Sequence, residues 1–482
     1  MKLKNIAFFI FLFLFAVPGF SFADNTGDRK DFYVEKGYSL NGKEKISATL
    51  IKSPDRLYFY FENDWWYSKT ESEKEQIGSV LESLGKEFNS KIYPALTAAF
   101  GKENTPGIDN DSRITVLFCR TESSVKGYVR NIDEYEKTVN PYSNQREMVY
   151  INADLLTGNF MNEILAHEFM HLITINQKEM RIGVPEETWL NEAYSEYAIT
   201  LLGYNDKEDS YLRSRMESFL DKPYDSLTSW GNTQYDYGVI DAFIHYLVDR
   251  YGIGVLADSL KSDDIGMAGI VDALVKNGVA ESFPQIFTDW TIASYINDCS
   301  LGEKYCYKNK NLADLHVIPF GNYLPFSGEE STLYLGQNMS NYSANWQKFS
   351  GGRGELRIKF SNPSGVSMSI PYVIKSVSGA TSIGSIKLTG QEGELVVSGM
   401  GKDVYSVTAI PSIHNGNVSG SMDYFYSITA KTVNKEAQAG TGTDINLPFS
   451  VEKPLNQMNK EELLMVLIKL IIYLITQGKL NL

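Results

Sequence analysis

The stretch NEILAHEFMHLITI, Asn162–Ile175, constrains the fold more than any other part of this 482-residue chain. It places His167 and His171 four residues apart, so that on a helix both imidazoles lie on one face. At this spacing two histidines can bind one metal ion, while Glu168 beside them accepts a proton from a metal-bound water. Two core histidines on an amphipathic helix are the simpler interpretation, but the chain has only five histidines. The pattern therefore favours a buried helix that carries a catalytic zinc site.

A catalytic zinc ion needs a third protein ligand and an open position for water or substrate. No further histidine extends the motif, since position 177 is Gln. The segment VPEETWLNEAYSEYAITLL instead provides Glu192, on a second predicted helix that can fold back onto the histidine pair. Glu187, at the start of that helix, is the competing ligand, and an ordinary solvated carboxylate is the alternative for either residue.

Glu196 follows Glu192 by one helical turn and shares its face. A carboxylate at that position can accept a hydrogen bond from the second ring nitrogen of a metal-bound histidine and so fix its tautomer. We therefore expect Glu196 to orient one of the two histidines.

The N-terminus has the three parts of a secretory signal peptide, predicted as residues 1–23. Lys2 and Lys4 precede an apolar run, Ile6–Val17, and small residues end the segment at Ala23. The mature chain is expected to start at Asp24 and to be extracellular or periplasmic in a bacterium. An uncleaved anchor is the alternative, but the apolar run is short for a membrane span.

Charge and cysteine content restrict the class of protein. The formal net charge is −14, which gives no general attraction for nucleic acid. In an exported protein the nearby Cys299 and Cys306 could form a disulfide. Cys119 lies in the apolar run ITVLFC and is expected to be a buried thiol.

The changing character of the sequence predicts an order of domains. Strand-like and amphipathic segments alternate first, helical segments follow, and then short alternating runs are separated by turn residues about every ten positions, as in a β-sandwich. The predicted parts are an α/β part (24–160), a helical part with the zinc site (161–317), a β-sandwich domain (318–435), a linker (436–454) and a C-terminal amphipathic helix (455–482).

The C-terminal helix is expected to bury its surface against a partner. Asn459 and Glu462 form a capping box ahead of the apolar run Leu463–Ile475. Lys469 interrupts that run, which is too short to cross a bilayer. We expect self-association or docking on another surface, with contact at a membrane surface as the alternative, and no transmembrane anchor after signal cleavage.

HEFMH followed by WLNEAYSEYA resembles the gluzincin clan, which includes thermolysin and the zinc aminopeptidases. The chain is more closely similar to the hyicolysin-like family of secreted bacterial zinc metallopeptidases. That resemblance extends over roughly Phe88 to Gly252 and includes DNDSRITVLF, GYVRNIDEY, NPYSNQREMVYINAD and SLTSWGNTQYDYGVIDAFIHYLVDRYG.

The resemblance implies an α+β fold with a thermolysin-like catalytic core, a small sheet plus a helical lobe, ahead of the β-sandwich and the terminal helix. It implies one zinc ion bound by His167, His171 and Glu192, with Glu168 as general base. QYDYG resembles the Tyr-x-x-Gly element of the aminopeptidases, which assigns oxyanion stabilisation to Tyr235; Tyr237, or a packing role, is the alternative.

The substrates implied are proteins or peptides. The Gly-x-Met-Glu-Asn element, with which the aminopeptidases hold a free amine, has no counterpart here, and its absence favours endopeptidase activity. A zinc aminopeptidase and a surface-binding protein with a structural zinc site are the alternatives. Met148–Asn152 is expected either as the edge strand that binds substrate or as a central strand. Asp109, Asn110 and Asp111 resemble a Ca²⁺ loop but lack its full ligand spacing, and a solvated turn is the alternative.

Overall fold

The computed structural model describes residues 23–207, 209–325, 330–414, 423–433 and 458–476. The predicted signal peptide, apart from its last residue, and the predicted linker lie outside these ranges. In the part of the chain that is described, no helix is long and apolar enough to cross a membrane.

A six-stranded mixed sheet forms the N-terminal part of the molecule. Its spatial order is β1-β2-β3-β4-β6-β5, with β3, β4 and β6 parallel and the other pairings antiparallel. The segment Met148–Asn152 is therefore a central strand, and the edge strand next to it is β5. The strands are β1 (Arg29–Tyr33), β2 (Lys45–Lys52), β3 (Leu57–Glu62), β4 (Ile114–Cys119), β5 (Gly127–Val129) and β6 (Met148–Asn152).

The segment that follows the predicted cleavage site is part of this sheet, since it supplies β1 and β2. The Asp24 side chain is buried, and its carboxylate accepts hydrogen bonds from the Tyr60 hydroxyl at 2.6 Å and from Arg146 Nη1 at 3.0 Å. Removing this segment would expose the hydrogen-bonding edge of β3 and leave Arg146 without its carboxylate partner.

Helices account for most of the chain between the two sheet regions. The α2 helix begins with a capping box of Thr70 and Glu73, and α7 ends at Gly252, whose φ of +83° suits a glycine at the end of a helix. The helices are α1 (Asn63–Trp66), α2 (Glu71–Glu87), α3 (Tyr93–Phe100), α4 (Met161–Ile175), α5 (Thr188–Leu201), α6 (Tyr211–Asp221), α7 (Gln234–Tyr251), α8 (Ile253–Lys261), α9 (Gly266–Lys276) and α10 (Phe283–Ile296), with π-helical turns at Phe88–Ile92 and Asn176–Met180.

The described residues of the β-rich region form two sheets. One has ten strands and the other, made of β9, β12 and β18, has three. The region is β-rich as predicted, while its division into a two-layer sandwich stays a prediction. The strands are β7 (Phe320–Leu324), β8 (Glu330–Ser340), β9 (Ser343–Ala344), β10 (Gln347–Gly351), β11 (Gly354–Ser361), β12 (Met368–Ser369), β13 (Pro371–Ser376), β14 (Thr381–Ser385), β15 (Leu388–Thr389), β16 (Glu392–Met400), β17 (Val404–Ala409), β18 (Ser412–Ile413) and β19 (Asp423–Val433).

The β-rich region has an apolar core of its own, and some of its residues also pack into the core of the helices. Trp346 is 1% exposed and donates from Nε1 to the carbonyl of Thr291 in α10, at 2.9 Å. Thr408 donates to the Tyr295 hydroxyl at 3.0 Å, also on α10. These contacts belong to the same hydrophobic cluster that contains the helices of the predicted zinc site, so the β-rich region is packed against the helical part.

The three cysteines are placed as the sequence predicts. Cys299 and Cys306 form a disulfide. Cys119, on β4, is a free thiol and 3% exposed.

A final helix, α11 (Lys460–Thr476), starts with the predicted capping box, in which Asn459 and Glu462 each accept a hydrogen bond from the other's backbone N–H at 2.9 Å. Several of its apolar side chains are exposed, among them Leu464 and Met465, each 55% exposed. What covers them stays a prediction.

Hydrogen bonds from the buried Lys178 connect the turn that follows α4 to the end of α8 and to the loop between α8 and α9. Lys178 is fully buried, and its ammonium donates to the carbonyls of Ser259 and Ser262, each at 2.9 Å, and of Asp264. The carboxylate of Glu186 lies 3.4 Å from the same nitrogen. This cluster fixes the chain between α4 and α5.

We expect Lys178→Met to lower the free energy of unfolding by about 3 kcal/mol, because buried carbonyls and a buried carboxylate lose their cation. Urea denaturation measures this. Lys276→Met is the matched control, since Lys276 is exposed and forms only a surface ion pair with Asp258, which contributes about 0–1 kcal/mol. Equal effects of the two variants would contradict the assignment.

Candidate metal centre

The α4 and α5 helices bring two imidazoles and one carboxylate together. The Nε2 atoms of His167 and His171 lie 3.2 Å apart. Glu192 places Oε2 at 3.3 Å from His167 Nε2 and Oε1 at 3.8 Å from His171 Nε2. Within the described ranges, no other group of three histidine, cysteine or acidic side chains has its ligand atoms within 4.8 Å of one another.

These separations suit a zinc ion. Zinc bonds to histidine nitrogen and carboxylate oxygen at about 2.0–2.2 Å in tetrahedral geometry, which puts neighbouring ligand atoms roughly 3.2–3.6 Å apart. The histidine and glutamate atoms already lie at about this spacing, so His167, His171 and Glu192 fit the ion without a change of backbone. Three protein ligands also leave the fourth position open.

Buried apolar side chains hold α4 in place. Leu165, Phe169 and Met170 are completely buried, and Leu172 is 1% exposed. The helix is therefore enclosed on nearly all sides, and only the face with the two histidines meets α5. Burial of the apolar faces fixes the rotation of α4 about its axis and directs His167 and His171 toward Glu192.

The outer ring nitrogen of each histidine also has a partner. His171 Nδ1 lies 3.0 Å from Asn191 Oδ1 and 3.2 Å from Ser195 Oγ. His167 Nδ1 lies 3.5 Å from Glu196 Oε1, in the place expected for an orienting carboxylate. Such partners fix the ring orientation and raise the basicity of the metal-binding nitrogen.

Arg215 of α6 completes this arrangement, and no sequence signal pointed to it. Its guanidinium donates to both oxygens of Glu196, at 3.0 and 2.8 Å. Burial alone would raise the pKa of Glu196, but the charge and hydrogen bonds of Arg215 lower it to about 2. The carboxylate beside His167 is therefore ionised at neutral pH.

Carboxylates stabilise positive charge on His167, whereas burial lowers the pKa of His171. Burial acts to lower the pKa of His167, but the hydrogen bond to Glu192 and the nearby carboxylates of Glu168 and Glu196 raise it to about 9. The same negative charge that holds a proton on His167 favours a metal cation, since metal binding displaces protons from its ligands.

Glu168 lies between the histidines and the edge strand of the sheet. It is 5% exposed, and its Oε2 has no hydrogen-bond partner among the described residues. Burial raises the pKa of this carboxyl to about 8. A Cβ at Gly127 of β5 would come within 2.6 Å of Glu168 Oε1, so only glycine fits there without displacing the carboxylate.

The two candidate tyrosines at the start of α7 have different surroundings. The ring of Tyr237 stacks on the Arg215 guanidinium, 4.1 Å from its centroid. Burial and then the carboxylates of Glu192 and Glu196 raise the pKa of Tyr237 well above its usual value, so its hydroxyl stays protonated. Tyr235 instead has the ammonium of Lys222 at 5.3 Å from its ring. Tyr237 is thus the tyrosine whose pKa the carboxylates of Glu192 and Glu196 affect.

Two other predicted candidates lie elsewhere. The competing ligand Glu187 accepts a hydrogen bond from Trp189 Nε1 at 2.6 Å and lies against Gly266, away from the histidines. In the Asp109–Asp111 loop, Asp109 Oδ1 accepts from the Asp111 amide at 3.0 Å, and Asp111 accepts from the Tyr58 hydroxyl at 2.6 Å. These carboxylates stabilise a turn, which is the alternative to the predicted Ca²⁺ loop.

Comparison with known proteins relates the chain to a metalloprotease. It is 28% identical over 130 residues to the neutral metalloprotease ShpI of Staphylococcus hyicus, and the match spans 23% of this chain and 28% of that protein. The chain thus matches well under half of this relative. No family model matches.

Solved structures match only weakly. The pre-peptidase C-terminal domain of a Bacillus anthracis collagenase has a TM-score of 0.17 at 12% identity and covers 23% of this chain and 96% of that one. The Yersinia pseudotuberculosis-derived mitogen has a TM-score of 0.17 at 14% identity and covers 26% of this chain and 97% of that one. These likenesses carry no argument about function.

The ligand assignment predicts different effects for two glutamates of the same segment. Glu192→Ala should abolish stoichiometric zinc binding, because two imidazoles alone leave the tetrahedral site incomplete. Glu187→Ala should keep one zinc ion per chain. Inductively coupled plasma mass spectrometry of dialysed protein measures both, with thermal unfolding as the check on folding. The opposite result would make Glu187 the ligand.

Proposed function

We propose that this protein is a secreted zinc-dependent endopeptidase with a gluzincin-type, thermolysin-like catalytic core. The observation that carries the proposal is the His167, His171 and Glu192 triad with an unpaired carboxylate, Glu168, beside it. The similarity to a neutral metalloprotease supports the same reaction class. The predicted signal peptide supports an extracellular or periplasmic location.

The triad and Glu168 account for the chemistry of peptide hydrolysis. A zinc ion held by His167, His171 and Glu192 would polarise the scissile carbonyl and lower the pKa of the attacking water. Glu168 would accept a proton from that water and deliver it to the leaving amine. Its buried, unpaired Oε2 gives it a free acceptor for this proton. Glu196 and Arg215 keep His167 oriented while charge changes at the site.

The edge strand provides a place for the substrate backbone. In β5, Gly127 pairs with Ile151 and Val129 with Val149 of β6, so the other side of β5 has no strand partner in the six-stranded sheet. An extended peptide can add to such an edge through main-chain hydrogen bonds. Since Gly127 contacts Glu168, a peptide on this edge would pass directly over the general base.

Tyr237 is the residue we propose for oxyanion stabilisation. A protonated phenol beside the ligands can donate to the oxygen that becomes negative in the tetrahedral intermediate. The resemblance to the aminopeptidase element favours Tyr235, whereas the surroundings of the two rings support Tyr237.

Other properties follow as proposals. Substrates would be proteins or peptides, and the net charge of −14 argues against a nucleic-acid partner. The exposed apolar residues of α11 support self-association or docking on a surface. A zinc aminopeptidase is the second candidate, and a surface-binding protein with a structural zinc site is the third.

Cleavage of amino-blocked peptides tests the proposal. We expect cleavage inside a blocked peptide, its loss on treatment with a zinc chelator and its recovery on adding zinc. Release of single residues from free N-termini, with no cleavage of the blocked peptide, would establish the aminopeptidase. Zinc binding without hydrolysis of either peptide would favour the structural site.

Glu168→Gln should lower kcat/KM about 1,000-fold, because proton transfer by a positioned carboxylate is lost. Zinc content should be unchanged, since Glu168 is not a ligand. Glu103→Gln provides the control, because Glu103 is another buried acid outside the metal centre. Steady-state kinetics with a quenched fluorescent peptide measures the effect, and an unaltered rate would remove Glu168 from the mechanism.

The two tyrosines can be separated by matched variants. Tyr237→Phe should lower kcat about 100-fold with little change in KM, as expected for a hydrogen bond made mainly in the transition state. Tyr235→Phe should leave kcat unchanged. If Tyr235→Phe alone lowers kcat, the original assignment from the sequence is correct.

A further inference from the structure

A second group of acidic side chains lies at the opposite end of β6 from the metal centre. Glu147 precedes the first residue of β6, and Glu134 ends the short helical turn Asn131–Glu134. They are 2% and 5% exposed. Neither forms an ion pair with a lysine or arginine in the part of the chain that the structure describes. Two adjacent buried carboxylates without a cation are unfavourable when both are ionised.

The Glu147 carboxylate has an unused acceptor and a closely fitted backbone around it. Its Oε1 has no hydrogen-bond partner among the described residues. Gly107, with a φ of +77°, lies so close that a Cβ there would be 1.9 Å from Glu147 Oε2. The loop before β4 therefore encloses this carboxylate without neutralising it.

The same loop supplies further oxygen atoms. Asn104 donates from Nδ2 to Glu134 Oε2 at 3.3 Å. A 180° flip of this side-chain amide would place its carbonyl oxygen where Nδ2 now lies. Asp109 is near enough for its charge to act on both glutamates. Carboxylate, amide and backbone oxygens are the ligands that Ca²⁺ prefers, six to eight in number and completed by water.

We propose that Glu134 and Glu147, with the loop from Asn104 to Asp109, bind a calcium ion. The site lies next to the Asp109–Asp111 turn but uses other residues as its main ligands. No third acidic or histidine ligand lies within 4.8 Å of this pair among the described residues. Neutral oxygens and water therefore fill the remaining positions. The ion would join the loop before β4, the Asn131–Glu134 turn and the start of β6.

A shared proton is the competing explanation for the pair. Burial raises the pKa of Glu134 to about 7, although its hydrogen bond with Glu147 acts to lower it. Burial and the Glu134 charge raise the pKa of Glu147 to about 10. Without a cation the pair therefore keeps at least one proton at neutral pH. Calcium would displace this proton, so binding should release protons, which a proton-sharing pair alone cannot do.

Calcium binding by the zinc-saturated mature chain tests the proposal. The chain carries Glu168→Gln, so that self-cleavage cannot change the protein during the measurement. We expect one Ca²⁺ per chain by equilibrium dialysis, proton release in weakly buffered solution and a melting temperature about 3 °C or more higher at saturating calcium.

Variants locate the ion. Glu147→Gln and Glu134→Gln should each weaken calcium binding at least about tenfold and remove the thermal shift. Glu103→Gln, which changes a buried acid that pairs with the Tyr93 hydroxyl, should keep the full response. Two variants of the pair are used so that a folding defect in one does not decide the result.

Two outcomes would overturn the proposal. The first is no calcium binding and no thermal shift up to about 10 mM, above the range of weak extracellular sites, which would leave a proton-sharing pair. The second is calcium binding that both variants retain, which would place the ion elsewhere.

Discussion

The structure depends on the contact between α4 and α5. There the ring nitrogens of His167 and His171 and a carboxylate oxygen of Glu192 lie within 4.8 Å of one another. Two imidazoles and a carboxylate are costly to bury unless a positive charge lies among them. The apolar residues around α4 supply the free energy for this arrangement, because their burial fixes the helix whatever the state of the site. The candidate metal centre is thus built on an apolar core that does not itself require the metal.

A line of paired charges extends from this contact to α6. The ring of His167 lies beside the carboxylate of Glu196, and that carboxylate accepts two hydrogen bonds from Arg215. Each member has a partner, so the buried charges are compensated without a water shell. Tyr237 stacks on the end of this line. The orientation of one histidine is therefore coupled to three helices, which is the kind of rigid support that a catalytic site needs.

The two ends of β6 show how one strand can serve two purposes. At its C-terminal end the neighbouring edge strand lies against Glu168 through Gly127. At its N-terminal end a pair of buried carboxylates joins two loops to the sheet. Anything that stabilises the second end also fixes the position of the first, since the strand between them is fully buried.

Local patterns allowed much of the site to be predicted. The histidine spacing, Glu192 and the orienting role expected of Glu196 follow from helical periodicity, which depends on the chain alone. The capping box of α11 is local in the same sense. The choice between Tyr235 and Tyr237 depends on tertiary structure, because two tyrosines two residues apart face different sides of a helix and the sequence does not show which side lies beside the site.

The sequence by itself determined which residues can bind a metal, because the type of each side chain and its spacing along a helix are set by the covalent structure of the chain. Only the tertiary structure decided that Glu187 turns away, that Arg215 supports Glu196, that Met148–Asn152 is central and that Gly127–Val129 forms the edge. These depend on contacts between segments far apart in the chain. Such contacts are set by how apolar faces pack and which buried charges find partners, and no local pattern records them.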